Sequence, residues 1–241
     1  MKNYRFLIQY DGTRYEGWQR QKEAARTIQG KLEEVLSGIT GHPETITGAG
    51  RTDAGVHAAG QVANAHLNIP FSAEELAARM NELLPDDIAI LSAEMVDDRF
   101  HSRFSSGQKV YRYRIRKKKK KNVFERRQIW QYGRKLDLRA MKAAARKLEG
   151  THDFRSFCNN KKMKKSAVRT LTEIRITEKD DEMNLIYRGN GFLQGMVRVL
   201  TGTLVEVGEG KRDPSDMGSI FLAENRQEAG FTAPPQGLIL E

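Results

Sequence analysis

One short stretch, Gly48-Ala49-Gly50-Arg51-Thr52-Asp53-Ala54-Gly55-Val56-His57-Ala58-Ala59-Gly60-Gln61, sets a guanidinium, a hydroxyl, one carboxylate and an imidazole among glycines. A lone carboxylate beside a guanidinium suits nucleophilic or proton-transfer chemistry. Glycine admits backbone conformations closed to other residues and lets a second backbone or a ligand come close. Loops on a rigid scaffold are where catalytic side chains concentrate. The same residues also make an ordinary turn, with Asp53 capping a backbone amide and Arg51 pairing with it. The pattern alone leaves both readings open.

A second arginine bears on the choice. Phe192-Leu193-Gln194-Gly195-Met196-Val197-Arg198-Val199-Leu200 reads as a helix that is apolar nearly all round and therefore buried. A buried charge is costly unless paired, so Arg198 calls for a carboxylate. Asp53 is the candidate, because it needs a cation to stay ionised in a closed site. Lys109 to Arg116 alternates, with Tyr111, Tyr113 and Ile115 on one face and Val110, Arg112 and Arg114 on the other. The tyrosine face is core or, at a strand's edge, a stacking surface for a base, worth about 1–3 kcal/mol per base. Trp18, in a polar loop with Gln19 and Gln21, has the same two readings.

These groups need a scaffold, and 241 residues suit two modest domains or one large one. Hydrophobic residues make up 39% of the chain, enough for a core. The 41 Lys and Arg outnumber the 31 Asp and Glu, giving a net charge of +10 that favours a polyanionic partner. Lys117 to Lys121 is an unbroken basic run, and Lys161, Lys162, Lys164 and Lys165 form a second. Each is a solvated loop or a phosphate-contacting one. Cys158 is the single cysteine, so no intramolecular disulfide forms and a reducing compartment fits. With no signal-like or membrane-length apolar run, a cytoplasmic protein without membrane association is expected.

Arg5 to Tyr10 reads as a strand ending in the turn Asp11-Gly12-Thr13. A helix follows Thr27 as N-cap, through Leu36, and stops at Gly41-His42-Pro43. After the glycine-rich loop come a strand from Gln61 to Leu67, a helix from Ser72 ended by Pro85, and a strand from Asp87 to Ala93. This is the order of a ferredoxin-like unit. In the second half, Asp137 to Leu148 is an amphipathic helix, Thr151 to Phe154 a polar turn, and Leu171 to Thr177 with Met183 to Arg188 a hairpin. A Pro/Gly turn then feeds a terminal strand. The expected fold is α+β: two ferredoxin-like, RRM-like halves, 1–104 and 105–241, packed into one body with a mixed, mainly antiparallel sheet and a central catalytic cleft.

Gly50-Arg51-Thr52-Asp53-Ala54-Gly55-Val56-His57-Ala58 resembles the active-site signature of the TruA family of tRNA pseudouridine synthases, and the likeness runs over essentially the whole chain. Tyr10-Asp11-Gly12-Thr13 with Gly17-Trp18-Gln19, Leu84-Pro85-Asp86-Asp87-Ile88, Phe100-His101-Ser102-Arg103-Phe104 and Lys109-Val110-Tyr111-Arg112-Tyr113 resemble its further motifs, in order. So do Gly150-Thr151-His152-Asp153-Phe154, Gly191-Phe192-Leu193 with Met196-Val197-Arg198, and Thr232-Ala233-Pro234-Pro235-Gln236-Gly237-Leu238. Departures are small: Ser102 where Ala is more usual, Phe231 where Pro is common, and Gln194-Gly195 in place of a larger pair.

The resemblance implies isomerisation of uridine to pseudouridine at positions 38, 39 and 40 of the tRNA anticodon stem-loop. By position, Asp53 is the nucleophile, Arg51 fills the place of the flipped nucleotide or steers it, and Arg198 pairs with Asp53. Tyr111 stacks on the target base, and His57 and Leu238 stand at the bound nucleotide. It further implies a homodimer with tRNA across both subunits, and neither metal nor organic cofactor. An idle RNA-binding protein would gain nothing from a carboxylate facing phosphates. A metal-dependent nuclease is disfavoured because His42, His57, His66, His101 and His152 show no HxxxH or carboxylate-cluster spacing.

Overall fold

The computed structural model describes residues 1–21, 26–105, 107–160, 163 and 165–241. Lys161, Lys162 and Lys164 of the second basic cluster lie outside the described residues. The described chain runs β1 (Lys2–Tyr10), α1 (Ile28–Thr40), β2 (Thr47–Gly48), β3 (His57–Leu67), α2 (Ala73–Leu83), β4 (Ile88–Val96), α3 (Ser102–Ser105) and β5 (Lys109–Arg116). It continues with β6 (Trp130–Gln131), α4 (Leu138–Leu148), β7 (Gly150–Asp153), β8 (Val168–Lys179), β9 (Glu182–Gly189), α5 (Met196–Gly208), α6 (Met217–Ala223) and β10 (Leu238–Leu240). The class is α+β, as expected. Two compact units form, Met1–Gly107 with Ile239–Glu241, and Gln108–Leu238.

In the first unit β1 pairs antiparallel with β4 on one side and β3 on the other. The far side of β3 is shared: Thr47 and Gly48 pair antiparallel with its C-terminal half, and Ile239 and Leu240 pair parallel with His57 and Ala58. Alternate residues of β1, Tyr4, Phe6, Ile8 and Tyr10, are buried. Phe6 and Ile8 are fully so, each worth about 1.5–3 kcal/mol. The Thr27 hydroxyl accepts from Gly30 N at 3.2 Å and starts α1, which buries Ile28, Leu32, Val35 and Leu36. Ser72 likewise accepts from Glu75 N at 3.1 Å and starts α2, which buries Leu76 and Met80. The strand expected from Gln61 begins at His57 instead. Its extra residues find their partners in the last residues of the chain, a long-range pairing that local periodicity does not report.

In the second unit the strand order is β5-β9-β8-β7, antiparallel throughout, with β6 parallel along β5. Tyr111, Tyr113 and Ile115 form the buried face of β5. Asp137 accepts from Ala140 N at 3.0 Å and caps α4, whose Met141, Ala144, Ala145 and Leu148 are buried. Thr151 to Asp153, expected as a turn, is strand: β7 pairs with β8 from Gly150↔Leu171 to Asp153↔Val168. The helix expected from Phe192 begins at Met196, because Gly195 stands at φ 70 in the left-handed region, and it runs on to Gly208. Among the described residues no helix is long and apolar enough to cross a membrane.

Candidate active site

The Asp53 loop belongs to the first unit and is fixed through its backbone. Trp18 N donates to Thr52 O at 3.1 Å, Gly55 N to Tyr15 O at 3.1 Å, and Val56 N to Asp53 O at 3.1 Å. At the loop's start Ala49 N donates to Val62 O at 2.7 Å, and the Gln61 side-chain amide donates to Gly50 O at 2.9 Å. Thr52 turns inward, its Oγ1 2.9 Å from the buried Tyr10 hydroxyl. Trp18, 2% exposed, lies in the core against Gly48, which removes it as a base-stacking surface. With Thr52 buried, Asp53 is half-buried and Arg51 and Ala54 are exposed. The Arg51 guanidinium has no ion pair among the described residues.

The segment after β1 presses on this loop at two glycines. A Cβ on Gly12 would stand 2.0 Å from Val56 O, and one on Gly17, at φ 100, would stand 2.6 Å from Thr52 O. Only glycine lets the two backbones approach so closely. His57 belongs to the same bracing. It is 4% exposed, with Nδ1 3.1 Å from both Gly12 N and Asp11 Oδ1, and its buried Nε2 has no hydrogen-bond partner among the described residues. Burial opposes the charged form of Asp11, but hydrogen bonds from His57 and Thr13 outweigh it and hold the carboxyl well below the ordinary carboxylate range. His57, expected at the nucleotide, is thus packed behind the loop, where it braces the backbone that carries Asp53.

Tyr111, Arg198 and Leu238 lie in the second unit. Tyr111 is 6% exposed, with its ring edge-on to Phe192 at 5.1 Å and 84°. Arg198 is half-buried, less deeply than its apolar neighbours imply, and its Nε donates to Ala233 O at 2.7 Å. Ala233 N returns a bond to Arg198 O at 3.0 Å. The segment holding Ala233 is itself clamped: Gly230 N donates to Thr203 Oγ1 at 2.9 Å, Arg226 to Gly230 O and Thr232 Oγ1 at 2.9 Å each, and Tyr113 OH to Pro234 O at 2.6 Å. Burial pushes the Tyr113 hydroxyl far up, against the opposing charge of Arg198, so it stays a neutral donor. Leu238, expected at the nucleotide, is buried at 5% exposure.

The departures from the family pattern have local uses. Ser102 Oγ donates to Thr47 O at 2.6 Å and Ser102 N to Asn64 Oδ1 at 2.9 Å, tying α3 to β2 and β3. Phe231 N donates to Glu206 Oε1 at 3.1 Å, a bond proline cannot make. A Cβ on Gly195 would stand 2.3 Å from the Asn159 amide nitrogen.

A family model for tRNA pseudouridine synthase matches residues 7–105 and 144–241, which include Arg51, Asp53, His57, Arg198 and Leu238. Tyr111 and the Lys117–Lys121 run fall between the matched segments. The tRNA pseudouridine synthase A of Bacillus sp. (strain KSM-64) is 43% identical over 241 residues, covering 100% of this chain and 98% of that protein. That of Geobacillus sp. (strain WCH70) is 43% identical over 240 residues, covering 99% and 96%. That of Thermoanaerobacter sp. (strain X514) is 42% identical over 240 residues, covering 100% and 98%. The chain belongs to the TruA family of tRNA pseudouridine synthases, a family of isomerases.

Proposed function

We propose that this chain isomerises uridine to pseudouridine at positions 38, 39 and 40 of the tRNA anticodon stem-loop, with Asp53 as nucleophile and the target base flipped out of its stack. The C1′–N1 bond breaks, the uracil turns, and a C1′–C5 bond forms. N1 gains a proton and the C5 hydrogen leaves as one, so atoms balance without an external reactant. Asp53 enters by attacking C1′ or C6 or by removing a ribose proton, and is regenerated at the end of each route. Arg198 pairs with Asp53, Tyr111 stacks on the base, and Arg51 occupies the place the flipped nucleotide leaves or steers that nucleotide. His57 braces the Asp53 loop, and Leu238 stands at the bound nucleotide by the family resemblance.

One observation carries this reading: the backbone around Asp53 is fixed by Trp18, Tyr15 and Val56 while the neighbouring Arg51 guanidinium stands exposed and unpaired among the described residues. A fixed carboxylate beside an exposed cation suits a site where a base must be drawn out and then attacked in place. The net charge of +10 favours the polyanionic substrate. A cytoplasmic homodimer, with tRNA across both subunits, is part of the proposal and rests on the family resemblance. Mapping pseudouridine in tRNA from cells lacking this protein tests the assignment. Loss confined to positions 38 to 40 is expected; retention of all three contradicts it.

A further inference from the structure

We infer that the loop joining β5 to β6 is a second RNA-contact surface, which engages phosphates through Lys119, Lys120, Lys121, Arg126 and Arg127 and stacks an unpaired base on Phe124. The inference rests on RNA being the substrate.

The basic run divides into two parts. Lys117 pairs with Glu178, and Lys118 Nζ lies 2.9 Å from Asp181 Oδ2, a bond that lowers the Asp181 carboxyl's pKa. These two lysines root the loop on the β8–β9 hairpin. Lys119, Lys120, Lys121, Arg126 and Arg127 are all exposed and have no ion pair among the described residues. Five cations are left for an outside anion.

The middle of the loop is pinned. Asn122 N donates to Gln131 Oε1 and the Gln131 amide to Asn122 O, both at 3.2 Å. Glu125 stands 3.4 Å from Arg114 and 3.3 Å from Arg116, and the Asn122 amide donates to it at 2.6 Å. Phe124 N donates to Asn122 Oδ1 at 3.1 Å, and Arg126 Nη1 to Val123 O at 2.7 Å. This turn holds Phe124 outward at 93% exposure. One exposed phenylalanine means nothing by itself. An aromatic ring fixed outward between two sets of unpaired cations is the combination that binds single-stranded nucleic acid, where the backbone is gripped and a base lies on the ring. A paired duplex offers the phosphates and no free base face.

The test titrates the full-length protein with two fluorescein-labelled RNAs, an unmodified anticodon stem-loop hairpin and a fully paired duplex of equal length. Phe124→Ala and Phe124→Leu should each raise Kd for the hairpin about fivefold or more and leave the duplex unchanged. Replacing Lys119, Lys120 and Lys121 by serine should reduce the salt slope by about 2 to 3 for both. An unchanged hairpin Kd for Phe124→Ala, a wild-type Kd for Phe124→Leu, or an unchanged salt slope overturns the inference. The titration reads binding alone, so a failed isomerase assay and a failed loop assignment are told apart.

Discussion

The hydroxyl of Tyr10 and Oγ1 of Thr52 lie 2.9 Å apart inside the first unit, so the residue preceding Asp53 is tied to the end of β1. A hydrogen bond of this kind contributes about 1 kcal/mol, and more when its loss strands a buried hydroxyl. Tyr10→Phe and Thr52→Val should each lower stability by that order and reduce pseudouridine formation. Because they remove the same bond, the double variant should cost less than the sum of the two. Thermal melts and initial rates on tRNA check this; full additivity makes the bond irrelevant.

Gly12 and Gly17 leave no room for a side chain against the backbone of Val56 and Thr52. Gly17→Ala carries strain twice, from contact and from its φ of 100, at a cost of about 1–3 kcal/mol. Both Gly12→Ala and Gly17→Ala should displace the loop and reduce kcat far more than an alanine at Gly38, which meets nothing nearby. Equal kcat for the three variants contradicts the bracing role.

Asp11 sets an acid limit. Its folded pKa lies below the unfolded value of about 3.9, so its ionised form stabilises the fold fully above that pH. The contribution is lost as pH falls from there through the folded value. Asp11→Asn should lower Tm at neutral pH and narrow its gap to wild type below about pH 4. A gap that stays constant with pH contradicts the assignment.

Tyr111 meets Phe192 edge-on, and the proposed stacking role needs its ring and not its hydroxyl. Tyr111→Phe should keep most activity and Tyr111→Ala little, with Tm measured alongside because truncating a buried aromatic costs about 3–5 kcal/mol. Equal loss in both variants points to the hydroxyl.

Much of this was legible because it is locally encoded. Thr27, Ser72 and Asp137 cap their helices through side-chain oxygens three residues from the amide they serve. The alternation of Tyr111, Tyr113 and Ile115 with arginines is strand chemistry on its face, and the Arg51–His57 run spells out its chemical groups. What was not legible is held at a distance. Thr151-His152-Asp153 reads as a turn until Thr170, Arg169 and Val168 pair with it. His57 looks like a site residue until Ile239 pairs with its backbone and Asp11 and Gly12 close on its Nδ1. Arg198 is anchored by Ala233, and no spacing rule reaches that far. The apolar run from Phe192 conceals where α5 begins, because a positive φ at Gly195 leaves no mark on hydrophobic periodicity.

The central claim is that Asp53 performs the isomerisation. Tritium release from C5-labelled uridine in tRNA measures the loss of the C5 hydrogen that follows C1′–C5 bond formation. Asp53→Ala should abolish release while tRNA binding, followed by anisotropy, stays close to wild type. Release at the wild-type rate from Asp53→Ala contradicts the account.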